Sequence, residues 1–231
     1  MAVIEAIIIL TLGAISYKFK ALDLKGTIGA MVLGYVILSL GSWQTFFALL
    51  TFLIMGTIAT KFKKHEKERI KSFDESRGLG NVLGNGLAPV LFLILEFMIK
   101  KDFGWAAVFS AIATANADTL ASEIGKPLGK NPRLITNFKK AKPGEEGAIT
   151  LIGEIAALIG AFVIGAIGAL TLTNEQAKLI TSVTLAGLIG ANIDSLVGAT
   201  LEKRGIVDNN GTNFIATFLG GIIGIILFIL L

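Results

Sequence analysis

The sequence predicts an all-α polytopic membrane protein of about eight transmembrane helices. Three observations predict it. Of the 231 residues, 53% are hydrophobic and only 16% charged, and the mean hydropathy is +0.74. A soluble domain carries about 25% charge, so these polar groups are too few to cover a globule. Apolar stretches of spanning length recur along the whole chain, and the basic residues fall in every second connection. A soluble enzyme, a disordered chain and a secreted disulfide scaffold are excluded together. No Pro/Ser-rich linker interrupts residues 1–231, which read as one integral-membrane domain.

The first stretch, 2–17, has no charged leader and no A-x-A cleavage site, so it reads as a span and not as a removable signal. The second and third, 26–41 and 43–60, are joined by the tight Gly41-Ser42-Trp43-Gln44 connection, with an aromatic residue at the interface. The others fall at 80–99, 103–121, 148–172, 178–199 and 212–231. Lysine and arginine then set the orientation. They crowd the connections after the first span (Lys18, Lys20, Lys25), the third (Lys61 to Arg77), the fifth (Lys126 to Lys142) and the seventh (Lys203, Arg204). The opposite side holds Lys100, Lys101 and Lys178. Positive residues stay inside, so both termini are expected outside a cell membrane, with the basic loops cytoplasmic. The net charge of +4 is therefore a loop property and does not point to nucleic acid.

Within the basic run Lys61–Lys71, Glu66 and Glu68 alternate with the cations. The run reads as a cytoplasmic helical extension on the anionic membrane surface, with direct substrate binding as the other reading. His65, the lone histidine, reads as solvated there. With no cysteine and no second histidine, thiolate sites, His-rich metal clusters and Ser-His triads are ruled out.

A short motif occurs twice. Ala115-Asn116-Ala117-Asp118-Thr119-Leu120 and Ala191-Asn192-Ile193-Asp194-Ser195-Leu196 both read A-N-x-D-[ST]-L. Each lies near the cytoplasmic end of an odd-numbered span, and each is followed by a polar loop and a Gly-rich span. Spans five-six and seven-eight thus read as a parallel repeat of one helix pair. An aspartate in a span costs at least about 2.5 kcal/mol at the helix centre, so it faces a wet cavity or a partner. Two such motifs supply hard oxygen ligands, which suit magnesium or manganese. The plainer reading is that the asparagines and aspartates cross-link helices.

Around the first copy, Asp118 stacks with Ser122 and Thr119 with Glu123 at i, i+4. Asn116 and Asp118 diverge on an ideal helix and converge only if the span breaks there. Gly125-Lys126-Pro127-Leu128-Gly129 then ends the segment. The next loop sets Lys139, Lys140 and Lys142 before a Pro143-Gly144 turn and a helix start, a phosphate-binding arrangement if it is not merely topological. Glu154, one turn into span six, is expected to meet a partner in the polar cluster. Arg77-Gly78-Leu79-Gly80-Asn81-Val82-Leu83-Gly84-Asn85-Gly86 opens span four. It is neither a Walker A loop nor a Rossmann fingerprint. Small-residue packing explains Gly80 and Gly84 but not Asn81 and Asn85. Asp208-Asn209-Asn210-Gly211-Thr212-Asn213 adds amides on the same side, with Asp208 or Asn209 as a plain N-cap for part of the run.

These motifs, in this order, resemble those of the integral-membrane phytyl-phosphate kinases of tocopherol synthesis and their relatives in archaea, bacteria and eukaryotes. The segments are N-A-D-T-L-A-S-E-I-G at 116–125, K-K-A-K-P-G-E-E-G at 139–147, N-I-D-S-L-V-G-A-T-L at 192–201, N-N-G-T-N-F at 209–214 and R-G-L-G-N-V-L-G-N-G at 77–86. The resemblance implies a kinase that uses CTP to turn an isoprenyl monophosphate into the diphosphate, releasing CDP. It implies Asp118, Asp194 and Lys140 as catalytic, with Asp118, Glu123 and Asp194 holding Mg²⁺ or Mn²⁺. Arg77, Asn81, Asn85, Asn116, Thr119, Ser122, Lys139, Lys142, Gly144, Asn192, Ser195, Asn210 and Asn213 would contact substrate or nucleotide. One segment departs from the family: Glu145-Glu146 replaces small polar residues after Pro-Gly. That argues against phosphate contact there and leaves Glu146 a metal or supporting role.

The partners expected are CTP, an isoprenyl phosphate lipid and the membrane, with no nucleic acid; self-association is left open. Phosphoryl transfer needs alignment and charge neutralisation more than covalent chemistry, and a phosphate acceptor needs no strong base. The same substrates would serve a cytidylyltransferase that attaches CMP to the lipid phosphate. Paired intramembrane aspartates would also serve an ion-coupled transporter, against which stand the gathering of polar motifs at one face and the scarcity of polar residues at the other.

Overall fold

The computed structural model describes residues 2–69 and 76–231; Lys71 of the basic run lies outside them. The described residues are mostly helical, in the order α1 (Ala2–Lys18), α2 (Leu24–Leu40), α3 (Trp43–Lys61), the short α4 (Lys64–Arg69), α5 (Leu79–Ile99), α6 (Asp102–Leu128), α7 (Leu151–Ala169), α8 (Gln176–Val197) and α9 (Asn209–Leu230). α8 runs on through a π-helical turn, Gly198–Glu202. Five of these helices are long and apolar enough to cross a membrane: α3, α5, α7, α8 with its π turn, and α9. The apolar α2 is shorter, α1 has 17 residues, and α6 is long but carries polar groups from Ser110 to Lys126.

Local chemistry sets the boundaries. Asp23, Ser42, Thr150 and Asp208 each cap a helix by accepting the backbone N–H three residues on, which satisfies an orphan donor of the first turn. α6 is unbroken from Asp102 to Leu128 and ends at Gly129. No break occurs at Asn116–Asp118, so the two diverge as on an ideal helix; the alanines flanking the motif are strong helix formers and their neighbours pack closely.

α6 is the hub, in contact with α3, α5, α7, α8 and α9. Its alanine-rich middle is buried on every side, and glycines of the surrounding helices take the space. A Cβ on Gly190 of α8 or Gly220 of α9 would stand 2.2 or 2.1 Å from Thr114 Oγ1, so these backbones come as near as glycine allows. Such small-residue contacts bring helices close where lipid supplies no apolar driving force between them. Some large apolar side chains face outward instead, among them Leu151, Ile159 and Phe162 of α7.

The charged groups sort to the two ends, while Ser110, Thr114 and Thr217 are buried between them. At one end Gln44 Nε2 donates to Leu170 O at 3.1 Å, Lys178 lies 4.6 Å from the ring centre of Phe228, and Glu96 packs on Gly104. The other end gathers α4, the start of α5, the ends of α6 and α8, and the starts of α7 and α9. Between α6 and α7 a two-stranded ladder, β1 (Arg133–Leu134) against β2 (Ala148–Ile149), folds the loop back on itself.

Candidate active site

The two copies of the motif meet. The carboxyls of Asp118 on α6 and Asp194 on α8 lie close enough to act on each other, and Asp194 Oδ2 is buried with no hydrogen-bond partner among the described residues. Lys126, Glu146 and Glu123 face Asp118, while Glu202 and Glu146 face Asp194. Two carboxylates this close repel unless they share a proton or hold a cation between them. With further acids around them, the pair offers hard oxygen to a divalent ion.

Among the described residues, no group of three or more Asp, Glu or His is placed to hold one metal ion. Glu123 does not complete a three-carboxylate set, because Lys67 Nζ lies 2.6 Å from its Oε2. A metal here would rest on Asp118 and Asp194 and take its remaining ligands from water or substrate. That is the usual habit of Mg²⁺, which binds through one or two carboxylates plus phosphate oxygens. The donor set therefore fits the ion.

Lys67 is the feature that the sequence hid. Its side chain is fully buried; it donates to Ala59 O at 2.9 Å, to Thr60 O, and to Glu123. The reading of this run as an extension on the membrane surface is corrected at this residue, which is enclosed against α3 and α6. His65 does lie in water, its side chain 96% exposed and 3.3 Å from Glu68. Burial of one lysine in a charged run depends on where α4 folds back, and no local pattern marks it.

Arg77 belongs to a short strap, with its N–H donating to Ala21 O and its carbonyl accepting from Asp23 N. Its guanidinium donates to Thr60 Oγ1 at 3.3 Å and lies 5.6 Å from the ring centre of Phe52. Gly56 gives it room, since a Cβ there would come within 2.6 Å of Nη2. Burial pushes this guanidinium below its ordinary value, while the fields of Glu123 and Asp118 oppose that. Arginine stays charged under such pressure.

The asparagines divide. Asn116, fully buried, donates to Gly160 O of α7 at 3.0 Å, and Asn192 donates to Glu154 Oε2 at 2.9 Å; each ties its helix to α7. Asn85 donates to Asn81 O within α5 at 3.0 Å. Asn210 lies over Gly80 and Gly84 and bonds Asp208 at 3.2 Å, and buried Asn213 sits one turn further into α9. Thr119 is half-buried on α6.

Ser122, Lys126, Gly144, Glu154 and Ser195 line one cavity of about 40 Å³, which the N-terminus of α7 also borders. Gly144 is not adjacent to that helix in the chain, because β2 intervenes; the loop folds back to bring the two together. Gly147, at φ +74°, abuts Ser195 O and Ala199, and Lys203 Nζ lies 3.6 Å from Glu145. The N–H of Lys142 donates to Glu145 at 3.0 Å and holds that carboxyl below its ordinary range. Lys139, Lys140 and Lys142 are exposed on this loop, and the lysine that faces Asp118 is Lys126.

A family model described as integral membrane protein DUF92 matches residues 7–221. The chain is 39% identical over 228 residues to an uncharacterized membrane protein of Methanocaldococcus jannaschii, covering 97% of this chain and 93% of that one. It is 31% identical to Protein PGR of Arabidopsis thaliana (94% and 92% covered) and 28% identical to Protein VTE6, chloroplastic, of the same plant (98% and 71% covered). No solved structure matches.

Proposed function

The chain belongs to the DUF92 family of integral membrane proteins, and on that premise we propose that it is a CTP-dependent kinase of an isoprenyl monophosphate, working at the cytoplasmic membrane face. In this reading α1, α2 and α6 complete eight crossings, α6-α7 and α8-α9 are the two copies of a repeat, and both termini lie outside. The approach of Asp118 to Asp194 at the polar end of the bundle is the observation that carries the function. The resemblance of the ordered motifs to phytyl-phosphate kinases supplies the substrate class.

Asp118 and Asp194 would hold Mg²⁺, or Mn²⁺, against the nucleotide phosphates. The ion, when bound, neutralises phosphate charge. Lys126 balances the carboxylates from within α6, and Arg77 reaches the same region from α3 and the strap. Lys139, Lys140 and Lys142 attract the nucleotide from their exposed loop. A phosphate oxygen of the prenyl phosphate attacks the γ-phosphorus of CTP, the bond from that phosphorus to the β–γ bridging oxygen breaks, and CDP leaves with the electron pair. The acceptor oxygen is already ionised near neutral pH, so no histidine is required.

The test is a product assay with purified protein, Mg²⁺, geranylgeranyl phosphate and CTP labelled separately on its α and γ phosphates. Label from the γ position in the lipid, with CDP formed, is the expected result. Label from the α position with pyrophosphate released would make the protein a cytidylyltransferase. No transfer across a range of prenyl phosphates would end the kinase reading.

A further inference from the structure

Beyond Val197 the winding of α8 changes. Residues Gly198–Glu202 form the π turn, and the N–H of Lys203 donates to Gly198 O at 3.1 Å. An i→i+5 turn holds one residue more than an α turn. Glu202 therefore takes the place that the seventh residue after Asp194 would hold on an unbroken α-helix, on the face that carries Asp194 and Gly198. Without the π turn it would be rotated about 80° from Asp194.

A second carboxylate reaches this face from the loop before β2. Gly147, at φ +74°, presses its backbone onto α8, where a Cβ would collide with Ala199 and stand 2.8 Å from Ser195 O. Glycine permits both that approach and that φ, and the contact fixes Glu146 beside Gly198. A Cβ on Gly198 would stand 3.5 Å from Glu146 Oε2 and 4.0 Å from Glu202 Oε2, so the two carboxylates converge over one residue.

No lysine or arginine among the described residues forms an ion pair with either of them; Lys203 is taken by Glu145, and Lys126 faces Asp118. The buried hydroxyl of Thr212 donates to Glu202 Oε2 at 2.7 Å, which orients that carboxylate without neutralising it. On the same face, Asp194 Oδ2 is sealed from solvent and unpartnered among the described residues, and the charges of Glu146 and Glu202 both act on Asp194. A buried carboxylate oxygen with no donor is costly to keep, and a cation supplies what these neighbours withhold.

We propose that Glu146 and Glu202 hold a second divalent cation, further along α8 than the ion at Asp118 and Asp194, with Asp194 between the two. Two carboxylates completed by water and phosphate are an ordinary set for Mg²⁺. A nucleotide triphosphate adds its own negative charge to these acids, and a pair of ions clamps phosphate oxygens from two sides. The purpose of the second ion rests on the kinase reading above; its binding does not.

The experiment is a Mn²⁺ titration of the full-length protein in detergent, without nucleotide or lipid, with free ion counted by electron paramagnetic resonance. Wild type is expected to bind about two ions per chain, and Glu146→Gln and Glu202→Gln about one each. Thr212→Val keeps every carboxylate and weakens one of the two ions by about tenfold, which measures the site even where a glutamine variant fails to fold. One ion or none in wild type, or two in a folded Glu202→Gln protein, overturns the second site. One ion in wild type together with γ-phosphate transfer from CTP leaves the kinase reading standing without it. Two ions without any transfer keep the site and remove the kinase reading.

Discussion

Glu123 Oε2 accepts from Lys67 Nζ at 2.6 Å, beneath the last carbonyls of α3. The pair joins α4 to α6 five residues beyond Asp118 and keeps one carboxylate of the site neutralised by a buried cation. Breaking a buried pair from one side leaves an uncompensated charge, at a cost of about 3–5 kcal/mol. Lys67→Met should therefore destabilise the protein by about 3 kcal/mol, and Glu123→Gln in the same chain should recover much of that loss. Thermal unfolding of the three variants in one detergent checks this; additive losses would show that the pair is not coupled.

Asp118→Asn and Asp194→Asn should each abolish turnover and leave the fold intact. Because each removes one of two neighbouring acids, the unfolding midpoint should equal or exceed that of the wild type. Millimolar Mg²⁺ should raise the wild-type midpoint, by the linkage that any native-state ligand obeys, and raise those of the variants less. An equal Mg²⁺ shift in all three proteins would remove the metal from this pair.

Two lysines should separate by kinetic signature. Lys126 faces Asp118 from the same helix, so Lys126→Ala should lower kcat by about tenfold or more. Lys140 is exposed on the loop, where salt screens it. Lys140→Ala should weaken CTP affinity by about threefold in low salt and by less in high salt. The opposite pattern would move the working cation to the loop.

Gly220→Ala should cost about 1–3 kcal/mol by overpacking, because its Cβ would meet Thr114 Oγ1 at 2.1 Å. Adding Thr114→Ala removes that oxygen and leaves the Thr114 Cβ 3.1 Å from the new methyl, so most of the loss should return. A double variant less stable than Gly220→Ala alone would refute the contact.

The apolar runs were legible as helices because their limits depend on local chemistry: Asp23, Ser42 and Asp208 stand where capping residues are wanted. The duplicated motif singled out Asp118 and Asp194, which the fold brings close, but not that Asn116 and Asn192 both reach toward α7. An asparagine two residues from an aspartate faces elsewhere on a continuous helix, and whether the helix continues was the condition that sequence left open. Lys67 was illegible for another reason. Six of its neighbours in sequence are polar, and only the return of α4 against α3 and α6 decides which cation is enclosed.

The alanine and glycine contacts around α6 have an entropic side. Burying these residues removes no rotamers, whereas leucine or isoleucine gives up about 0.5–1 kcal/mol when fixed. Leu151, Ile159 and Phe162, which have freedom to lose, project outward and retain it. Where glycine and alanine make the contacts, helix association around α6 costs little side-chain disorder, and backbones in near contact stiffen the frame that carries Asp118 and Asp194.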